Sequence, residues 1–125
     1  MTLADLRIDG LILVCAVSAG IHGALVPEHL EEGTPAGVGF VVTTVLLAAL
    51  AVALTRAPTQ PVLLATATVL AGLIASYVLA VTTGFPVLHP EVEAVDGLAL
   101  FTKAIEGAGV ALALIPLAQP KGNYA

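Results

Sequence analysis

Lys103 and Glu106 stand three residues apart in the last of four apolar stretches, with Asp96 seven residues before Lys103. On a helix that spacing sets the ammonium and the carboxylate on one face, one turn from each other. A charge near the bilayer centre costs about 2.5–3.5 kcal/mol on insertion scales, so both groups are expected to face the bundle interior and to pair. Counted at ~1.5 Å per residue from the start of the stretch, Lys103 lies ~8 Å and Glu106 ~12 Å inside. His22 in the first stretch and Tyr77 in the third fall near the same level. Two roles fit such a set. One is a polar network that fixes helix order, with Lys103 paired to Glu106 or Asp96 and His22 satisfying one of them; the other is a ligand-binding carboxylate and histidine site.

Metal chemistry has three candidate ligands, His22, His29 and His89, all at or near the acidic ends of the stretches. Imidazole beside carboxylate suits zinc, copper or iron. The sequence has no HxxxH or HxxH pair, and His29 and His89 fall in segments read as loops, where a solvated histidine is commonplace. His22 is therefore the most credible ligand, and His29 or His89 would complete a site only if the loops folded inward. Nothing in the sequence requires a cofactor. Cys15 is the single cysteine, which excludes an internal disulfide, and it reads as a small core residue on the same face as Ser18 and His22. No nucleophile elbow, P-loop, dinucleotide fingerprint or metalloprotease helix is present, which argues against an enzyme acting alone.

The elements that must position these residues follow from composition. With 58% hydrophobic and 10% charged residues and a mean hydropathy of +1.04, the chain lies outside the range of ordinary soluble domains. Its 125 residues have room for four spans of about 20 residues each and little else, hence one membrane domain over 1–125. The expected spans are 10–26, 37–55, 62–83 and 98–118. Helix is required because backbone amides in lipid must be satisfied within the segment, and the alternation of a membrane barrel is missing. The fold expected is an all-α transmembrane four-helix bundle.

Charge fixes the expected topology. Arg7, Arg56 and Lys121 fall at one set of ends; Glu28, Glu31, Glu32, Glu91, Glu93 and Asp96 fall at the other. By the positive-inside rule both termini are cytoplasmic and the short acidic loops extracytoplasmic. The first span reads as retained rather than as a signal peptide, since Asp5 and Asp9 flank its single Arg7. Pro27 is expected to end it. Pro27–Gly33 and Pro90–Gly97 echo one another as proline-led acidic segments, each expected to form a short interfacial helical turn. Frequent Ala, Gly, Ser and Thr predict close helix approach and hydroxyl bonds back to carbonyls. Four Lys and Arg residues make no basic surface, which excludes nucleic acid as a partner.

Ala19-Gly20-Ile21-His22, Pro27-Glu28-His29-Leu30-Glu31-Glu32, Val81-Thr82-Thr83-Gly84-Phe85-Pro86 and Asp96 leading into Thr102-Lys103-Ala104-Ile105-Glu106 resemble segments of small, uncharacterised four-helix integral membrane proteins of actinobacteria. The resemblance covers most of the chain and implies this fold and a bacterial plasma membrane. It carries no activity and no site residues. The favoured functional expectation is an accessory or structural subunit of a larger membrane complex, such as a respiratory or oxidase assembly, or else a homo-oligomer, in either case surrounded by lipid. The alternative is an outer-leaflet binding protein or carrier for a metal, haem, quinone or lipid, using His22, Tyr77, Lys103 and Glu106. A further alternative, proton-coupled transport through Glu106, is opposed by the ammonium of Lys103 one turn away, which favours the ionised carboxylate.

Overall fold

The computed structural model describes residues 1–84, 86 and 90–115. It consists of four helices, α1 (Leu3–Glu32), α2 (Thr34–Arg56), α3 (Gln60–Thr82) and α4 (Gly97–Leu114), each long and apolar enough to cross a membrane. The expected fourth span reaches 118, and its last residues, like Lys121, lie outside the described residues.

Local chemistry sets the helix ends. α1 starts seven residues before the apolar stretch because Thr2 and Asp5 form a capping box: the Thr2 hydroxyl accepts from the Asp5 N–H at 3.1 Å, and the Asp5 carboxylate accepts from the Thr2 N–H at 2.8 Å. At the other end, Pro27 does not terminate it. Proline removes a single donor, the one that would bond the carbonyl of Gly23, and the turns on either side continue through it to Glu32. Glu28, His29, Glu31 and Glu32 thus ride on the last turns of α1 and not on a separate interfacial helix. Gly33 alone links α1 to α2, its N–H donating to the His29 carbonyl at 3.0 Å. α2 and α3 both carry proline in the first turn, where the missing N–H has no intrahelical partner to lose.

The second acidic segment also departs from expectation. Residues 90–96 are irregular, without a helical turn. They are tied down by the Glu93 N–H, which donates to the Ala80 carbonyl at 2.8 Å. Gly84 turns the chain out of α3 with φ +80°, and a Cβ there would run into the Pro90 carbonyl. Asp96 then caps α4, its carboxylate accepting from the Ala99 N–H at 2.8 Å.

The four helices pack in a ring. α1 lies along α2 over the greatest extent and also against α4; α3 lies against α4 and, over the smallest area, against α2. Leu11, Val14, Leu47, Leu54, Leu63 and Leu70 form the apolar interior. α4 approaches closely at Gly109, where a Cβ would stand 2.7 Å from Leu70 and 2.8 Å from Val14. Polarity is inverted relative to a water-soluble bundle: Leu13, Val45 and Phe101 are more than half exposed, while Ser18, Thr66 and Glu106 are fully enclosed. Hydroxyls of Thr44, Thr66, Ser76 and Thr102 donate to carbonyls four residues back, each at 2.8 Å, as an apolar surround demands.

A candidate ligand cavity and its acidic rim

The cavity is the space the helices leave between them at the acidic end, about 420 Å³ in volume. α1 contributes His22 and His29, α2 Phe40, α3 Tyr77, and α4 Lys103. Apolar chains such as Leu25, Leu73 and Leu98 make the remaining walls, and Glu28, Glu93 and Asp96 stand at its edge. Three of the four residues expected to share one depth therefore line one space. Glu106 does not; it lies behind Lys103, fully buried.

Lys103 and Glu106 pair as their spacing requires, the ammonium donating to Oε1 of the carboxylate. The other carboxylate oxygen, Oε2, has no hydrogen-bond partner among the described residues. Lys103 Nζ also lies 5.8 Å from the centre of the Tyr77 ring, within reach of a cation–π attraction. The Tyr77 hydroxyl itself is buried and likewise without a hydrogen-bond partner among the described residues. Nearly all buried polar atoms in folded proteins are satisfied, so two orphans around one lysine mark this level as unusual.

His22 does not join the Lys103–Glu106 pair. Its Nδ1 donates to the Ser18 carbonyl at 2.8 Å, which fixes the neutral tautomer and leaves the Nε2 lone pair as the ring's remaining polar function. Asp96 is taken up as the cap of α4 and makes no pair with Lys103. The polar network is therefore smaller than expected, and among the described residues it leaves Tyr77 Oη, His22 Nε2 and Glu106 Oε2 without a hydrogen bond.

His29 corrects a second expectation. It sits on a helix, not in a loop, and is only 8% exposed. Its ring stacks on Phe40, centroids 3.6 Å apart and planes 19° from parallel, and Phe40 meets the His22 ring at 5.3 Å. Nδ1 donates to the Leu25 carbonyl at 2.9 Å. Nε2 then faces Glu93 at 3.8 Å and Glu32 at 3.9 Å. Neither carboxylate is among the ligands expected from sequence, although His29 and Glu32, three apart, share a face because α1 continues through Pro27. Glu93 comes from a distant segment, and Phe40 is a lone aromatic in an apolar run; neither contact has a local sequence signal. His89 lies outside the described residues.

Compared with protein families, with curated proteins and with solved structures, the chain has no significant match.

Proposed function

We propose that this protein is a small membrane-embedded binding protein or carrier that takes the head of a neutral, amphipathic quinone-class molecule into the cavity between its four helices. The observation that carries the reading is a largely apolar cavity lined by the side chains of His22, Tyr77 and Lys103, next to a buried Tyr77 hydroxyl that has no hydrogen-bond partner among the described residues. Leaving such a group unmade costs about 1–3 kcal/mol, a cost a bound carbonyl or hydroxyl recovers. The volume falls in the range of small-molecule sites. The polar groups also match both redox forms of the ligand: Tyr77 and Lys103 donate to a quinone carbonyl, and Nε2 of His22, without a partner among the described residues, accepts from a quinol hydroxyl. Carboxylates at the edge disfavour an anionic ligand.

On this reading the protein sits in a bacterial plasma membrane with its acidic end extracytoplasmic, the orientation that Arg7 and Arg56 favour. A purely structural subunit of a larger complex leaves the cavity and its polar lining unexplained, and this favours the binding reading. The test is equilibrium binding of a short-chain naphthoquinone to the protein purified in mild detergent. Saturable binding at one ligand per chain, weakened about tenfold by Tyr77→Phe, is expected from the loss of one buried hydrogen bond. Absence of saturable binding, together with comigration in a larger assembly, would return the subunit reading to first place.

A further inference from the structure

We propose that His29, Glu32 and Glu93 form a binding site for one divalent first-row transition-metal ion at the acidic rim of the bundle. Their ligating atoms all lie within 4.8 Å of one another. The separations of 3.8 and 3.9 Å from His29 Nε2 to the two carboxylates exceed a hydrogen bond. They lie close to what two ligands span when each stands about 2.0–2.2 Å from a shared ion.

The imidazole is prepared for this role independently of the acids. A backbone carbonyl, that of Leu25, accepts from Nδ1 at 2.9 Å, so the neutral ring presents its lone pair at Nε2, toward Glu32 and Glu93. Metal-bound histidines are commonly oriented by such a bond from the second nitrogen. The stack on Phe40 holds the ring plane, and the residue is 8% exposed, so Nε2 is aimed rather than free to turn.

Electrostatics favour a cation at the same place. A groove beside the cavity is lined by Glu28, Glu32, Glu91, Glu93 and Asp96, and no Lys or Arg side chain lines it among the described residues. Glu28 and Glu32 also sit at the C-terminal end of α1, the negative pole of the helix dipole, where an anion is disfavoured. Two carboxylates balance a divalent charge, and the imidazole selects for a transition metal over magnesium or calcium, which take oxygen ligands. The ion would join the last turn of α1 to the irregular segment 90–96. It borders the cavity, whose lining includes His29 and Glu93, but its three ligands are not the groups that meet the quinone in the proposed function.

The full chain, purified in detergent and stripped with chelator, is titrated with Co²⁺ and then Zn²⁺, followed by calorimetry and by the visible absorption of cobalt. One ion per chain is expected, with Zn²⁺ displacing Co²⁺ and neither Mg²⁺ nor Ca²⁺ competing. His29→Gln and Glu93→Gln should each weaken binding at least about tenfold, the scale on which even the outer partners of metal ligands act. Tyr77→Phe should leave it unchanged. Failure of the wild-type chain to bind saturably, retention of affinity in both variants, or equal competition by Mg²⁺ would each overturn the site. Should His29→Gln fail to accumulate, Glu93→Gln decides the matter, because Glu93 lies outside every helix.

Discussion

At the Arg7 end of the bundle, Leu11, Leu54, Leu63 and Ala113 from all four helices close on one another. The Arg7 guanidinium donates to the carbonyls of Leu112 and Ala113, at 2.5 and 2.7 Å. Those carbonyls belong to the last turn of α4, where no backbone N–H among the described residues bonds them. At the acidic end the same helices surround a cavity, and Tyr77 and Glu106 carry buried polar atoms that nothing in the described protein bonds. Among the described residues the Arg7 end leaves no buried side-chain nitrogen or oxygen unbonded; the acidic end leaves two. The contrast teaches where to look for function in a bundle whose helices are otherwise alike in composition.

The largest effect is expected where the two plans meet, at the buried pair. Lys103→Met leaves the Glu106 carboxylate enclosed without its cation and should cost about 3–5 kcal/mol, read as loss of folded protein in denaturant or thermal unfolding in detergent. Adding Glu106→Leu to that variant should restore most of the loss, because replacing both members of a buried pair by apolar chains is often neutral. If the double variant is as unstable as the single one, Lys103 and Glu106 do not act as one paired unit. At the closed end, Leu11→Ala should cost about 2–4 kcal/mol by opening a cavity among leucines. Ligand affinity of the protein that remains folded should not change, since Leu11 does not line the ligand cavity.

The same contrast explains what the sequence could and could not announce. The four helices were legible because an apolar run of about 20 residues has one solution in lipid. The common level of His22, Tyr77 and Lys103 was legible from rise per residue alone, and so was the Lys103–Glu106 pair from its spacing. Pro27 misled because the rule that proline ends a helix weighs one lost donor against nothing, whereas here the helix continues on both sides of it. That error hid the His29–Glu32 face and gave His29 a loop position it does not have. The role of Arg7 as a cap for a helix about a hundred residues away, and the contact of Glu93 with His29, depend on how the ring closes; no local pattern encodes either.

Arg7 sharpens the closed end. Arg7→Ala removes a charge-assisted pair of hydrogen bonds to carbonyls of the last turn of α4 and should destabilise by about 1.5–3 kcal/mol, measured by unfolding in detergent. Arg7→Lys keeps the charge at the negative pole of α4 but cannot reproduce the two-pronged contact, so it should recover only part of the loss. Equal stability of the Arg7→Lys variant and wild type would mean that charge alone, not capping geometry, acts there.

Tyr77→Phe carries the smallest stability change and the clearest separation of the two ends, because its two readouts should move in opposite directions. The hydroxyl it deletes is buried and has no hydrogen-bond partner among the described residues, so the variant gives up no described hydrogen bond and sheds a desolvated polar atom. The variant should be as stable as wild type or more stable, by up to about 1 kcal/mol. Quinone affinity should meanwhile fall, since the deleted atom is the donor the ligand would use. A group that lowers stability and raises affinity is what selection keeps at a binding site and removes from a packing surface. If stability falls instead, the hydroxyl has a structural partner, and the acidic end is built on the same plan as the Arg7 end.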